Sequence, residues 1–438
     1  MSRKLFGTDG IRGVAGKAPL DEPTVFAFGA ALGEWVAHHS TPRVVIGMDT
    51  RESGPWLAET LAGGLAHAGA NVCFAGLTTT PGVAYLTKTE EFVAGVMISA
   101  SHNPYQDNGL KAFDHSGFKL PDEEERKMEE RIFAILAQGA APLRQPLTVD
   151  PAYDRHYLDF LASTFHASLQ GVKIVLDCAN GAASYIGPEL FRMLGAEVVA
   201  TGCEPDGRNI NKDCGALHVD ALCRRVVAEQ AQFGAAFDGD ADRCMLVSAA
   251  GRLIDGDHAM LIAARHMRPA SVVATVMSNL GLQRALESDG LKLIRTAVGD
   301  RYVIEEMLRS NLTLGGEQSG HVIFRDYATT GDGLLTALRI IEIAVNARRT
   351  LEELTEGFVI YPQKLVNVRF KQKRPLEELP SVQAEIQSTE AEFGDAGRVL
   401  VRFSGTEPLA RVMVEGPTIE RVAHRAHSIA NAIEAALS

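Results

Sequence analysis

Three aspartates at alternate positions are the strongest chemical signal in the chain. Asp238, Asp240 and Asp242 follow the apolar stretch FGAAF, and Arg243 comes directly after them. Carboxylates packed this closely repel one another without a counter-charge, which favours a cation site over a plain acidic turn. An EF-hand would need glycine at position 243 and glutamate at position 249, where the chain has arginine and alanine. Three carboxylates leave coordination positions for water or phosphate oxygens, which favours Mg²⁺ over Ca²⁺.

The second signal is a serine beside a histidine, where an apolar stretch ends. Ser101 and His102 lie in the segment SASHNP, directly after FVAGVMI. A serine at such a turn can act as a nucleophile when a neighbouring group takes its proton. Serine–histidine neighbours are common and usually inert, so this pair alone is weak evidence. Lys111 follows in the segment NGLK, where it could supply a proton or pair with a phosphate.

Two glycine-rich loops add polar groups that could face a small ligand. Glu317, Ser319 and His321 lie in GGEQSGH, which suits either a ligand with several hydroxyls or a plain hydrated loop. Near the N-terminus, the glycines of GTDGIRG would bring the backbone close to a neighbour and present Arg12 from a rigid loop. Taken alone, the N-terminal segment indicates little more.

The loop RFSGTEP, called the fourth loop below, has the composition of a phosphate cradle. The segment RFSGTEP carries Arg402, Ser404, Gly405 and Thr406, and Arg411 lies just beyond it. Hydroxyls, a glycine with accessible backbone N–H and flanking arginines favour a bound phosphate over a plain turn. The segment lacks the G-x-x-x-x-G-K-[ST] pattern, so nucleotide hydrolysis is not indicated. We expect the serine, aspartate, glutamate and arginine loops to meet where domains adjoin, a usual place for ligand clefts.

The elements that must position these loops share one plan through most of the chain. Apolar, β-branched segments at 43–49, 173–177 and 271–277 predict three strands, each followed by a helix, a glycine and a second short strand. Near-continuous apolar strands are typical of a parallel sheet with both faces covered. Asp49 and Asp177 end the first two strands, which suggests an internal repeat at the scale of a domain.

The C-terminal part follows a different pattern. Val366, Val368 and Phe370 alternate with polar residues, which predicts a strand. A polar helix, two strands and a final helix with one apolar face follow, and this β-α-β-β-α order predicts a small α+β domain with an antiparallel sheet. The predicted domains I to IV are therefore 1–150, 151–253, 254–363 and 364–438.

Composition limits the partners and the compartment. The 438 residues include 43 Lys and Arg against 55 Asp and Glu, a formal net charge of −12. This excess argues against broad binding of nucleic acid or anionic membranes, and at first sight against an anionic substrate too. The six cysteines form no CxxC pair, and the sequence contains no signal peptide and no apolar run of about 18 residues. We therefore expect a cytoplasmic protein with free thiols.

In combination, the motifs resemble those of the α-D-phosphohexomutase superfamily. FGTDGIRG, SASHNP, DGDADR, GEQSGH and RFSGTEP occur in the superfamily's order, and the resemblance spans nearly the whole chain. Two features resemble the bacterial glucosamine branch of the superfamily. They are the start FGTDGIRG and Gln318, a position where relatives often carry Met or Glu. The resemblance implies three α/β domains with related mixed sheets and a smaller C-terminal α+β domain, arranged around a central cleft.

The resemblance also implies roles for individual residues. Ser101 would be the catalytic serine, phosphorylated in the active enzyme. One Mg²⁺ per chain would be bound by the phosphate of that serine and by Asp238, Asp240 and Asp242. Glu317 and Ser319 would contact sugar hydroxyls. Substrate phosphate would be bound by the fourth loop, through Arg402, Ser404, Gly405, Thr406 and Arg411.

The implied reaction interconverts glucosamine 6-phosphate and glucosamine 1-phosphate, which feeds UDP-N-acetylglucosamine synthesis. Phospho-Ser101 would give its phosphoryl group to the substrate, forming glucosamine 1,6-bisphosphate, which would turn in the cleft and return its other phosphoryl group. Arg12 and Arg243 would stabilise the transferring group. The proton transfer could fall to Lys111, His102 or His321, which the sequence does not rank.

Three alternatives share these motifs. A phosphoglucomutase or phosphomannomutase would act on a different hexose phosphate, a sugar-phosphate-binding regulator would lack turnover, and a metal-dependent hydrolase would release phosphate. The expected partner is a small hexosamine phosphate rather than nucleic acid or membrane, and a homodimer stays open. The net charge does not exclude this anion, because a local positive pocket would be formed by Arg12, Lys111, Arg243, His321, Arg402 and Arg411.

Overall fold

The computed structural model describes residues 5–7, 9–139, 141–372, 374–403 and 409–437. Ser404, Gly405 and Thr406 of the predicted phosphate loop lie outside these residues. The chain divides into two compact units, one drawn from Met1–Thr275 and Thr296–Thr355, the other from Val276–Arg295 and Glu356–Ser438. In the part of the chain that the structure describes, no helix has the length and apolar character needed to cross a membrane.

The first sheet is mixed, so the prediction of an all-parallel sheet is wrong and the mixed sheet implied by the resemblance is confirmed. The elements are β1 (Phe6–Gly7), β2 (Gly10–Val14), α1 (Glu22–Val36), β3 (Arg43–Met48), α2 (Gly54–His67), β4 (Asn71–Leu77), α3 (Thr80–Thr89), β5 (Ala94–Ile98), β6 (Asp107–Asp114) and α4 (Asp122–Ala137). The strand order is β1-β2-β6-β5-β3-β4. Strand β3 pairs in parallel with β4 and β5, whereas β6 pairs antiparallel with β5 and β2. A short loop can join only antiparallel neighbours, and the segment from β5 to β6 is such a loop.

The second sheet repeats this arrangement. Its elements are α5 (Pro151–Ser163), β7 (Lys173–Asp177), α6 (Ala183–Met193), β8 (Glu197–Thr201), α7 (Asp220–Ala228), β9 (Phe233–Phe237), β10 (Cys244–Ser248) and β11 (Leu253–Ile254). Strand β7 pairs in parallel with β8 and β9, and β10 returns antiparallel to β9. Helix α6 contains Pro188 within its length. The shared pairing supports the predicted repeat at the scale of a domain.

The next segment contains the loop predicted to contact sugar. Its elements are α8 (Gly256–Met267), β12 (Val272–Thr275), α9 (Leu280–Ser288), β13 (Leu293–Thr296), α10 (Asp300–Arg309), β14 (Leu314–Gly316), β15 (Val322–Phe324), α11 (Gly333–Ala347) and α12 (Leu351–Leu354). Strand β12 pairs in parallel with β14, and β14 pairs antiparallel with β15. Residues 317–321 therefore form the turn between β14 and β15.

The C-terminal domain has the predicted β-α-β-β-α order. Its elements are β16 (Gln363–Arg369), α13 (Pro380–Phe393), β17 (Arg398–Phe403), β18 (Leu409–Glu415) and α14 (Ile419–Leu437), with short 3-10 helices at Leu376–Glu378 and Gly394–Ala396. The strand order is β16-β18-β17, and both pairs are antiparallel. The apolar face predicted for the last helix is buried in the core of this domain, through Val422, Ala426, Ile429, Ile433 and Leu437.

Candidate active site

Ser101 lies in the loop that joins the antiparallel strands β5 and β6. Its side chain is buried, with 2% exposure, and its backbone is in the left-handed region at φ +52°. The hydroxyl Oγ donates a hydrogen bond to Asp238 Oδ2 at 2.5 Å, and His102 Nδ1 lies 3.3 Å from the same oxygen. Burial and the nearby cations Arg243 and Arg12 lower the pKa of His102 to about 4, so its ring is neutral at pH 7.

The three aspartates lie together in the turn between β9 and β10. One carboxylate oxygen from each residue lies within 4.8 Å of the others, and all three residues are buried. Asp240 Oδ1 and Asp242 Oδ1 accept no hydrogen bond from any described residue. Burial and the two neighbouring carboxylates raise the pKa of Asp238 well above its ordinary value. Buried oxygens without a donor, on converging carboxylates, fit a hard divalent cation.

Backbone hydrogen bonds hold the aspartate turn against three helices. Thr80 N, at the start of α3, donates to Asp240 O at 3.0 Å, and Gly333 N, at the start of α11, donates to Ala241 O at 2.9 Å. Ala182 N, directly before α6, donates to Gly239 O at 2.8 Å. These bonds occupy the carbonyls of the turn and leave carboxylate oxygens free for a ligand.

Glycine is required in this turn because the serine loop packs directly on it. A Cβ atom at Gly239 would lie 2.5 Å from Ser101 O, closer than such atoms approach without a shift of the backbone. The close contact brings the Ser101 hydroxyl into hydrogen-bond distance of Asp238. The sequence predicted the serine and the aspartates, and the structure brings all four together.

Lys111 lies on β6 with its ammonium group among carboxylates. Its Nζ is 2.7 Å from Asp240 Oδ2, 3.1 Å from Asp9 Oδ2 and 3.7 Å from Asp242 Oδ2. Burial alone would lower the pKa of Lys111, but the three carboxylates raise it. The ammonium group therefore keeps its proton at neutral pH, which suits a phosphate partner better than a proton acceptor.

Three further charged residues of the site, Asp9, Lys119 and Asp300, were not predicted from the sequence. Asp9 pairs with Arg12, Lys111 and Lys119, and Lys119 also pairs with Asp300. Burial would raise the pKa of Asp9, but its three cationic neighbours lower it well below the ordinary value. The N-terminal segment contained one usable signal, because Asp9 lies three residues before Arg12 in the same motif. Lys119 and Asp300 belong to no motif, and only the tertiary structure brings them here.

Arg12 and Arg243 keep donors available on the rim of the site. The Nε atom of each is buried and has no hydrogen-bond partner among the described residues. Arg243 N donates to Asp238 Oδ1 at 3.2 Å, which places this arginine directly beside the triad. Guanidinium groups with free donors bind phosphate oxygens well, so both residues can meet an anion near Ser101.

The turn with Glu317, Ser319 and His321 is held against the aspartate turn. Cys244 N, directly after Arg243, donates to Gly320 O at 3.0 Å. His321 is buried, and its Nδ1 lies 3.5 Å from Asp242 Oδ2.

The side chains of Glu317 and Ser319 make only long hydrogen bonds within the protein. Gly299 N donates to Glu317 Oε1 at 3.2 Å, and Ser319 Oγ donates to Glu317 Oε2 at 3.4 Å. Both side chains are only partly buried, so they can exchange these long bonds for hydroxyls of a ligand.

Arg402 and Arg411 belong to the second unit, where they form a cross-strand pair. They are direct partners in the antiparallel register of β17 and β18. Burial and the charge of Arg411 lower the pKa of Arg402. Like charges directly opposite on a sheet are unfavourable, and a bound anion would relieve the repulsion. Ser404, Gly405 and Thr406 lie between these strands in the sequence, outside the described residues.

Comparison with protein-family models gives matches in four segments. They are described as phosphoglucomutase/phosphomannomutase alpha/beta/alpha domain I at 3–138, domain II at 155–251 and domain III at 255–361, and the C-terminal domain at 365–432. The phosphoglucosamine mutase of Solibacter usitatus is 58% identical over 440 residues, covering 99% of each chain.

Solved structures share the fold at lower identity. A phosphoglucomutase/phosphomannomutase family protein from Burkholderia thailandensis matches with a TM-score of 0.79 at 24% identity, covering 98% of this chain and 97% of that one. Aspergillus fumigatus N-acetylphosphoglucosamine mutase, solved in complex with GlcNAc-6P and magnesium, matches with a TM-score of 0.65 at 19% identity, covering 100% and 96%. From the family models and the identity to its relative, the chain belongs to the phosphoglucomutase/phosphomannomutase family, among the phosphoglucosamine mutases.

Proposed function

We propose that this protein interconverts glucosamine 6-phosphate and glucosamine 1-phosphate through a phosphorylated Ser101. The observation that carries the proposal is the 2.5 Å contact between Ser101 Oγ and Asp238 in a buried carboxylate triad. A lone nucleophilic serine would need a base, whereas a serine beside a cation site suits phosphoryl transfer. The name of the relative from Solibacter usitatus supports the hexosamine substrate.

The triad is the proposed Mg²⁺ site. Its support is a pair of buried oxygens beside Asp238, Asp240 Oδ1 and Asp242 Oδ1, that accept no hydrogen bond from the described part of the chain. The Aspergillus fumigatus relative was solved with magnesium, which agrees with this choice of metal. When bound, Mg²⁺ would offset the negative charge that develops on a transferring phosphoryl group.

In the proposed first step, the O1 hydroxyl of the substrate attacks the phosphorus of phospho-Ser101. The P–Oγ bond breaks, the P–O1 bond forms, and the O1 proton passes to a base on the protein. Carboxylates raise the pKa of both Lys111 and His321, whereas the ring of His102 is neutral, so His102 is the best acceptor of the three candidates. Lys111, Arg12 and Arg243 would then stabilise the phosphoryl group as it moves.

The second step is the reverse transfer, after the 1,6-bisphosphate has turned end for end. Phosphate is bound at the far end by Arg402 and Arg411 together with Ser404, Gly405 and Thr406. Glu317 and Ser319 contact hydroxyls of the sugar in both orientations. The product then feeds UDP-N-acetylglucosamine synthesis.

The domain boundaries belong to the same proposal. We place them at 1–150, 151–253, 254–363 and 364–438, and each matched family segment falls inside one of these ranges. A cytoplasmic location is also proposed. None of the six cysteines, all of which lie in the described part of the chain, forms a disulfide, which is typical of a reducing compartment.

The substrate is tested by measuring kcat/KM for glucosamine, glucose and mannose 6-phosphates, with Mg²⁺ and a trace of hexose 1,6-bisphosphate. We expect the highest value for glucosamine 6-phosphate. A higher value for glucose or mannose 6-phosphate would identify one of the rival mutases. Release of inorganic phosphate as the main product would indicate a hydrolase, and binding without turnover would indicate a regulator.

A further inference from the structure

We propose that Arg51 is the positioning residue for the catalytic serine loop, an inference that rests on the proposed role of Ser101. Arg51 lies three residues after the end of β3 and is 1% exposed. It belongs to none of the sequence motifs discussed above. Its side chain reaches main-chain carbonyls between residues 101 and 107.

All five N–H donors of the Arg51 guanidinium have an acceptor, and four of the acceptors are main-chain carbonyls of the serine loop. Nη2 donates to Ser101 O and Asn103 O, both at 2.8 Å, and Nη1 donates to Asp107 O at 3.0 Å and to Pro104 O. Nε donates to Asp49 Oδ2 at 2.9 Å. A planar fork with five donors can hold four carbonyls at once, which neither lysine nor any neutral side chain can do.

The same network also holds the amide of Ser101. Asp49 Oδ2, the partner of Arg51, accepts a hydrogen bond from Ser99 Oγ at 2.6 Å. Ser99 Oγ in turn accepts one from Ser101 N at 2.9 Å. The N–H and the C=O of Ser101 are therefore both held by Arg51 or by groups bonded to it.

The left-handed backbone of Ser101 explains why such a clamp is needed. A backbone at φ near +52° is unfavourable for a residue with a Cβ, and strain of this kind is common at catalytic positions. Without the clamp, the loop would relax and Oγ would move away from Asp238. Domain II adds one further support, because Asn211 Nδ2 donates to Ser101 O at 2.9 Å and to Asn103 O at 3.2 Å.

Arg51 cannot act by binding substrate, because no donor is left for a ligand. Arg12 and Arg243 differ in this respect, since each keeps a buried Nε without a partner among the described residues. A change at Arg51 should therefore alter the rate of phosphoryl transfer while leaving the affinity for glucosamine 6-phosphate unchanged.

The test is Arg51→Lys, with Arg43→Lys as the matched control. Arg43 lies at the start of β3, at the end of the strand away from Arg51, where it donates to Glu90 O at 3.0 Å and packs over Phe92. We expect Arg51→Lys to lower kcat per folded molecule by ~10²-fold, the usual consequence of a misplacement near 1 Å, with KM within about threefold. Arg43→Lys should leave both constants unchanged.

An Arg51→Lys protein with wild-type kcat, or with KM raised in proportion to the loss, would overturn the proposal. If Arg51→Lys fails to fold, Asn211→Ala decides instead. It removes a neutral donor to the same two carbonyls, and we expect kcat to fall several-fold at constant KM, whereas an unchanged kcat overturns the clamp. Wild-type protein without mutase activity would refute the proposed function rather than the clamp, so the two failures are distinguishable.

Discussion

Domain I and domain II place their chemistry at the same point of related sheets. In domain I strand β3 pairs in parallel with β5, and the chain then turns through Ser101 into antiparallel β6. In domain II strand β7 pairs in parallel with β9, and the chain then turns through the aspartates into antiparallel β10. One architecture therefore supplies both the proposed nucleophile and the proposed metal ligands, and the residues in the turn decide which.

The two turns differ in how they are held. The serine loop is held by the buried guanidinium of Arg51. The aspartate turn is held instead by backbone N–H groups at the N-terminal ends of α3, α6 and α11. A nucleophile must be held at one angle to its target, which favours a rigid fork. Carboxylates that share a cation can adjust around it, so backbone bonds suffice.

The turns after β3 and β7 show the same difference. Asp49 and Asp177 each accept a hydrogen bond at 3.0 Å from the amide two residues on. That residue is Arg51 in domain I, and in domain II it is Ala179. Both domains therefore have this turn, but only in domain I does it hold a charged side chain, that of Arg51, which binds the serine loop.

The largest effect should come from removing the nucleophile. Ser101→Ala should lower mutase activity by at least about 10⁴-fold, as expected when the group that forms the covalent intermediate is lost. Ser163→Ala, at the end of α5 with its hydroxyl bonded to Phe160 O, is the matched control and should keep full activity. If Ser101→Ala turned over substrate at even a tenth of the wild-type rate, the turn of domain I would not carry the nucleophile.

The next largest effect should come from the metal ligands of domain II. Asp240→Ala should lower kcat by about 10³-fold and weaken Mg²⁺ binding, because it removes a central carboxylate of the triad. Mg²⁺ titrations of activity and calorimetry check both effects. Asp206→Ala, an exposed aspartate of the same domain, serves as the control. Full activity of the wild-type protein in excess chelator would contradict the metal site.

A stability experiment sharpens the comparison of Asp49 with Asp177. Asp49→Asn should lower the free energy of unfolding by about 3 kcal/mol, because it leaves the buried Arg51 charge without its partner. Asp177→Asn should cost only about 1 kcal/mol, because Asp177 meets backbone amides of Ala179 and Gly215 and no cation within bonding distance among the described residues. Urea unfolding measures both free energies. Equal losses would show that the Arg51 charge makes no extra contribution to the stability at Asp49.

The smallest expected effect tests how the aspartate turn is supported. Thr80 Oγ1 donates to Asp240 Oδ2, and Thr80 N donates to Asp240 O. Thr80→Val removes the hydroxyl and keeps the backbone bond, so we expect a loss in kcat of about threefold to tenfold with a modest change in Mg²⁺ affinity. Thr89→Val, on the exposed end of the same helix, is the control. A loss as large as that of Asp240→Ala would mean that one side chain, not the backbone bonds, holds the turn.

The sequence predicted the parts whose information is local. Alternate aspartates, the serine–histidine pair and the arginine loop are each encoded within a few residues. The β-α-β-β-α order of the last domain followed from hydrophobic periods of two and 3.6 residues. These signals do not depend on what lies opposite in the fold.

The parts that the sequence did not predict depend on distant pairing. Apolar strands look alike in parallel and antiparallel neighbours, so the apolar pattern alone indicated a parallel sheet, and only the family resemblance implied mixed sheets. Asp9, Arg51 and Asn211 take their meaning from carbonyls and ammonium groups that lie far away along the chain. A buried arginine after a strand gives no local sign of the loop that it supports.

Direct observation of the phosphoryl group on Ser101 tests the central claim. Protein incubated with glucosamine 1,6-bisphosphate and Mg²⁺ should gain ~80 Da, about one phosphate, on the peptide that contains Ser101. Addition of glucosamine 6-phosphate should remove that mass and form one equivalent of bisphosphate. An adduct on another residue, or one that stays on the protein while substrate is converted, would contradict the phosphoserine mechanism.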